Sequence, residues 1–141
     1  MEHTATAAYE QGLSFDVELD NHHFKIDGDE EFGGKDKGPK PKKLLLAALA
    51  GCTGMDVVSI LHKMKMPFDS FWLEIRAELD TEARPSVYTS FVISYCFRGD
   101  RLERDKIEKA VGLSGNKYCS VSAMFRSFAE VRSEIRLNPP Q

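Results

Sequence analysis

The sequence has 141 residues, 42% of them hydrophobic, which suits one domain with a real core and is too apolar for a disordered chain. A formal charge of −3 offers no basic surface of the kind that phosphate backbones require, so nucleic acid is not expected as a partner. Three cysteines, with neither CxxC nor zinc-like spacing, argue against a secreted disulfide framework.

Met1 to Gln11 is polar and alanine-rich, with no basic flank ahead of an apolar block. No signal peptide is read there, and a cytoplasmic location is expected. Thr4 to Tyr9 is a weak strand that Gly12 ends. Phe15, Val17 and Leu19 alternate with Asp16 and Glu18, and Phe24 and Ile26 alternate with Lys25 and Asp27. This period of two marks strands buried on one face, and Asp20-Asn21 between them suits a hairpin turn. His22 and His23 point to opposite faces of their strand, so they cannot jointly bind one metal and are expected at the surface. Gly28 to Pro41, GDEEFGGKDKGPKP, reads as a loop, either a solvated connector or a flap.

Lys42 to Met64, KKLLLAALAGCTGMDVVSILHKM, is a long helix that begins near Pro41 or Lys42, ends before Pro67 and carries Cys52 near its middle. It is apolar on every side and is therefore expected to be buried. Its length alone would permit a membrane span, but Asp56, Thr53 and Ser59 interrupt it, and a buried core helix explains the same residues. Ala47, Ala50, Gly51 and Gly54 form a strip without bulky side chains, where another helix could come close.

Phe71, Leu73, Ile75, Ala77 and Leu79 alternate with polar residues in a long strand. Thr81 to Ser86 turns into a second strand, Val87 to Phe97, with Phe91, Ile93, Tyr95 and Phe97 on one face. Cys96 lies on the other face and reads as a small core hydrophobe. Glu103 to Leu113 is a helix that stops around Gly112 to Asn116. Cys119 then sits at or just before a short helix through Ala123, Met124 and Phe125, and Val131 to Leu137 is a final strand. The order β-β-β, α, β-β, α, short α, β indicates an α+β fold with an antiparallel sheet, and 1–141 is read as a single domain.

Thiols react as thiolates, and a helix N-terminus favours that form. Cys119, near such an end with Lys117 beside it, has a local reason to ionise. Cys52, about ten residues into its helix with Asp56 one turn later, has none, and on composition alone it reads as a structural core thiol. Sequence spacing cannot place the two sulfurs together.

Pro41 to Thr53, PKKLLLAALAGCT, taken with Asn116 to Ser122, NKYCSVS, resembles the OsmC/Ohr family of osmotically inducible and organic hydroperoxide resistance proteins, most closely a less characterised OsmC-like branch. The order of strands and helices matches over essentially the whole chain. The resemblance implies an intertwined homodimer, with antiparallel sheets packed on long central helices that carry the first cysteine. It implies that Cys52 attacks the peroxide bond and that Cys119 resolves the sulfenic acid as a disulfide, a step that needs close thiols. It further implies organic hydroperoxides as substrates and a dithiol such as dihydrolipoamide as reductant, with no metal, bound cofactor or membrane partner. The peroxidases of the family carry a glutamate nine or ten residues before the first cysteine, where this chain has Lys43 and Lys42. They also use an N-terminal arginine, whereas the first arginine here is Arg76. A lysine near Cys52 would supply the missing positive charge; one facing solvent would not. The alternative is a non-catalytic member that binds a small apolar ligand or acylated thiol in the dimer cleft.

Overall fold

A computed structural model describes residues 1–141, which divide into two compact units, Met1–Leu45 and Leu46–Gln141. The first unit holds an antiparallel sheet in the order β1 (Thr6–Gln11), β2 (Ser14–Leu19), β3 (His22–Ile26). The alternation in β2 sets the register, in which Phe15 lies between Tyr9 and Ile26. The Tyr9 and Phe15 rings meet edge to face at 5.6 Å. Asp20 and Asn21 have φ of 50° and 62°, the paired left-handed conformation that joins twisted strands in a two-residue hairpin. His22 and His23 are exposed, and His23 Nδ1 lies 2.7 Å from Asp16 Oδ2.

The segment from Gly28 to Pro41 includes a 3-10 turn at Glu30–Phe32 and is held by Asp27. Only 2% exposed, Asp27 accepts the backbone N–H groups of Gly28, Lys35 and Lys37 at 2.8, 2.9 and 3.1 Å. These bonds, the one from Lys35 foremost, pull its carboxyl below the usual carboxylate range. The chain passes so close to itself that a Cβ on Gly34 or Gly38 would strike the carbonyl of Gly28 or Lys25. The loop is therefore pinned at its middle.

The division between units falls in the first turn of α1 (Leu44–Lys63), which continues a 3-10 turn at Pro41–Lys43. In the second unit a three-stranded sheet has β5 (Val87–Arg98) at its centre, flanked by β4 (Ser70–Asp80) and β6 (Glu130–Leu137). The β4–β5 pair is antiparallel, as the hairpin requires. The β5–β6 pair is parallel, so this sheet is mixed rather than wholly antiparallel. A parallel neighbour needs a long crossover, and α2 (Arg104–Leu113) with α3 (Ser120–Arg126) supplies it.

Leu49, Val57 and Leu61 of α1 join Phe91, Ile93, Tyr95 and Phe97 of β5, Ile107 and Val111 of α2, and Phe125 of α3 in one core. The opposite face of β5 is covered as well. Ser94 and Cys96 there are wholly buried beneath a surface ladder in which Arg136 bonds Glu74 and Glu134, and Arg76 bonds Glu134. Cys96 is thus a core residue.

Within one chain α1 is buried on one side, not all round. Met55 is 75% exposed, and Ala47, Ala48 and Leu45 are also open. By length and composition Pro41–Lys63 could cross a membrane; here Leu49, Val57 and Leu61 take it into the core. The strip of small residues also divides. A Cβ on Gly54 would come within 2.9 Å of Leu73 Cδ1, so Gly54 admits a strand side chain rather than a second helix. A Cβ on Gly51 would meet nothing within 4 Å.

Candidate thiol site

Cys52 and Cys119, 67 positions apart in sequence (119 − 52), come together in the second unit. Their sulfurs and an Asp56 carboxylate oxygen all lie within 4.8 Å of one another. Asp56 reaches the site because residues four apart share a helix face. Cys119 reaches it through an unusual turn. After α2 ends at Leu113 the chain continues in one π turn at Ser114–Tyr118, closed by the Cys119 N–H donating to Ser114 O at 2.8 Å. Such turns recur at functional sites.

Cys119 is the N-cap of α3, with φ −78° and ψ 105°, and its sulfur accepts the Ser122 N–H at 3.3 Å. One orphan amide of the helix start is thereby satisfied by sulfur. The Val121 backbone N–H, in the same first turn of α3, favours the Cys52 thiolate.

Ser114, wholly buried, connects the two cysteine-bearing segments. Its hydroxyl bonds Asp56 Oδ2 at 3.1 Å and Thr53 O at 3.5 Å, while its own carbonyl receives the Cys119 amide. The helix start at Cys119 was legible in the sequence, but the part played by Ser114 was not, because Gly112, Gly115 and Asn116 carry the ordinary signal of a helix stop.

Burial pushes the Cys52 thiol above its ordinary value. The neighbouring Cys119 thiol pushes it the same way, as does the negative charge of Asp56, and the Val121 N–H opposes them. Lys42 and Lys43, at the positions of the family glutamate, are exposed in the turn before α1. Since the Asp56 charge disfavours the anion, Asp56→Asn will lower the pH midpoint of Cys52 alkylation. Iodoacetamide rates followed across pH, with Cys119 replaced by serine, measure that shift.

Beside the thiols a cavity of about 460 Å³ is lined by Thr53, Tyr95, Ser122, Arg126, Val131 and Ser133, among others. Tyr95 is fully buried, and Thr53 and Ser133 line the same cavity. Neither cysteine lines this cavity. A shallower apolar recess runs along α1 over Gly51, Gly54, Met55 and Val58 to Phe71 and Leu73.

The family model for OsmC-like proteins matches residues 34–134, which include both cysteines, the π turn and the crossover helices. The chain belongs to the OsmC-like family. Protein YhfA of Escherichia coli K12 is 31% identical over 128 residues, covering 90% of this chain and 92% of the relative. A hypothetical protein from Aquifex aeolicus superposes with a TM-score of 0.85 at 23% identity, over 100% of this chain and 99% of the other. The organic hydroperoxide resistance protein OhrB of Bacillus subtilis superposes with a TM-score of 0.64 at 18% identity, over 96% and 98%. At such identities the two structures share the OsmC-like fold with this chain, and the fold alone.

Proposed function

We propose that this chain is a two-cysteine thiol peroxidase that reduces organic hydroperoxides, with Cys52 as the peroxidatic residue and Cys119 as the resolving one. The observation that carries this reading is the approach of the two sulfurs, within 4.8 Å of each other, at the end of a π turn. The Cys52 thiolate attacks the distal peroxide oxygen, the O–O bond breaks, the alcohol leaves, and sulfur is oxidised to a sulfenic acid. Cys119 then attacks that sulfur and water departs as the disulfide forms. A dithiol such as dihydrolipoamide returns both sulfurs to thiols. The Ser122 amide holds the Cys119 sulfur at the start of α3, and the burial that raises the Cys52 thiol slows the first step at neutral pH.

The cytoplasm is the compartment proposed, in keeping with three free thiols. Fully reduced protein mixed with cumene hydroperoxide should consume one equivalent per chain and yield a Cys52–Cys119 disulfide in the peptide map. Hydroperoxide left intact, or oxidation at Cys96 instead, refutes the assignment.

A homodimer is part of the proposal, supported by the open apolar side of α1 at Met55, Ala47 and Ala48. Gly51→Ala tests it. In an isolated chain the substitution meets open space and should stabilise the helix by about 1 kcal/mol. Against a second copy of α1 it should instead weaken association, seen as a raised dissociation constant in sedimentation equilibrium.

One observation favours a second reading, a non-catalytic member binding a small apolar ligand or acylated thiol. The charges acting most strongly on Cys52 are negative, and they oppose the thiolate that peroxide chemistry needs. On that reading an apolar ligand raises the melting temperature equally in the parent and in Cys52→Ser, without hydroperoxide turnover.

A further inference from the structure

We infer that reduced Cys52, Cys119 and Asp56 form a tetrahedral site for a borderline-soft divalent cation of the zinc class, with the fourth position left to solvent or a small ligand. The sequence spacing contains no metal pattern, since its donors lie at i, i+4 on α1 and then on a distant helix cap. The fold nevertheless converges them. A zinc ion with bonds of about 2.3 Å to sulfur and 2.0 Å to oxygen places its donors roughly 3.5–3.8 Å apart. The three donors already lie within 4.8 Å of one another, so closing on an ion takes at most a modest inward shift.

Three further features fit this ligand. Two sulfurs and one carboxylate suit zinc better than calcium or magnesium, which prefer all-oxygen shells. Ser114 Oγ donates to Asp56 Oδ2 at 3.1 Å, the outer-shell contact that fixes a ligating carboxylate. Cys52 is half-buried while Cys119 is buried, so access to the ion is from the Cys52 side.

Coordination displaces both thiol protons to solvent and draws charge from the sulfurs, so that they attack a peroxide more slowly than a free thiolate would. The occupied site is therefore a resting form, and its opening by oxidation rests on the peroxidase reading. Two metal-bound thiolates, one hydroperoxide and two protons give one disulfide, one alcohol and one water, and the divalent ion departs unchanged. Metal binding itself requires no peroxide reaction.

The probe is cobalt(II) added anaerobically to the reduced, metal-free chain. One equivalent should bind per chain and give a thiolate-to-metal charge-transfer band together with the visible bands of a tetrahedral centre. Cys52→Ser, Cys119→Ser, or prior alkylation of the unaltered protein with N-ethylmaleimide should abolish the charge-transfer band. Ser114→Ala should weaken binding about tenfold, and Asp56→Asn by more. Zinc should displace cobalt, and cumene hydroperoxide should release it. No charge-transfer band in the parent, or a band of unchanged affinity in Asp56→Asn, overturns the inference. If cobalt fails to bind while the metal-free protein still forms its disulfide with hydroperoxide, the metal site alone falls. If cobalt binds and hydroperoxide neither oxidises the thiols nor releases the ion, the peroxidase reading alone falls.

Discussion

Cys52→Ser will reduce hydroperoxide consumption to the rate of buffer without protein, whereas Cys119→Ser will react once and stop at a sulfenic acid. The asymmetry follows from the proposed order of the chemistry. A serine hydroxyl at position 52 is not nucleophilic enough to break an O–O bond, and Cys119 is buried at the helix cap and does not meet the peroxide first. Removing the second sulfur leaves the first step intact and deletes only the intramolecular attack that follows. Single-turnover mixing with cumene hydroperoxide, a sulfenic-acid trap and intact-mass analysis separates the two outcomes. Equal behaviour of the two variants would reverse or erase the assigned roles. The pH profile adds a check: because Cys52 titrates above its ordinary value, the rate of the first step should climb about tenfold per pH unit between neutrality and that value.

The largest stability loss is expected from Phe91→Ala, about 3–5 kcal/mol against a typical total of roughly 5–15. Phe91 is fully buried, with its ring 4.9 Å from Phe125, 5.3 Å from Tyr88 and 6.4 Å from Phe128. Phe125 sits on α3, so this cluster docks the helix whose cap is Cys119. A cavity there should loosen α3 before the sheet gives way, and Cys119 should become easier to alkylate under conditions where the sheet is still folded. Urea unfolding combined with timed alkylation measures both effects. Phe91→Leu, which keeps most of the volume, should retain most of the stability.

Much of the fold was legible because its elements announce themselves locally. The alternation from Phe71 to Leu79 and from Phe91 to Phe97 gave two strands, and the turn-forming pair Asp20-Asn21 gave a hairpin, where both residues take up a left-handed conformation. What depends on distant partners is not written locally. Nothing near Val131 to Leu137 tells whether that strand runs with or against β5, since the crossover decides it. The apolar circumference of α1 implied burial on all sides, and one chain covers only the Leu49, Val57 and Leu61 side. The cysteines were identified by their flanking motifs, but their meeting depends on a π turn whose glycines and asparagine mimic an ending. Asp56 was noticed as a local charge opposing Cys52, and only the tertiary fold turned it into a neighbour of both sulfurs.

Because the Cys119 sulfur doubles as the cap of α3, the backbone itself can report what happens to that atom. A thiolate accepts the Ser122 N–H strongly, a sulfur bonded to another sulfur accepts weakly, and loss of a cap costs a helix start about 0.5–2 kcal/mol. In a helix of seven residues such a change is a large share of what keeps the first turn wound. The Ser122 amide resonance should therefore move, and its deuterium uptake quicken, whenever the thiols are oxidised. Any partner that touches the outward side chains of that turn would then sense the electron balance of the cell without contacting sulfur.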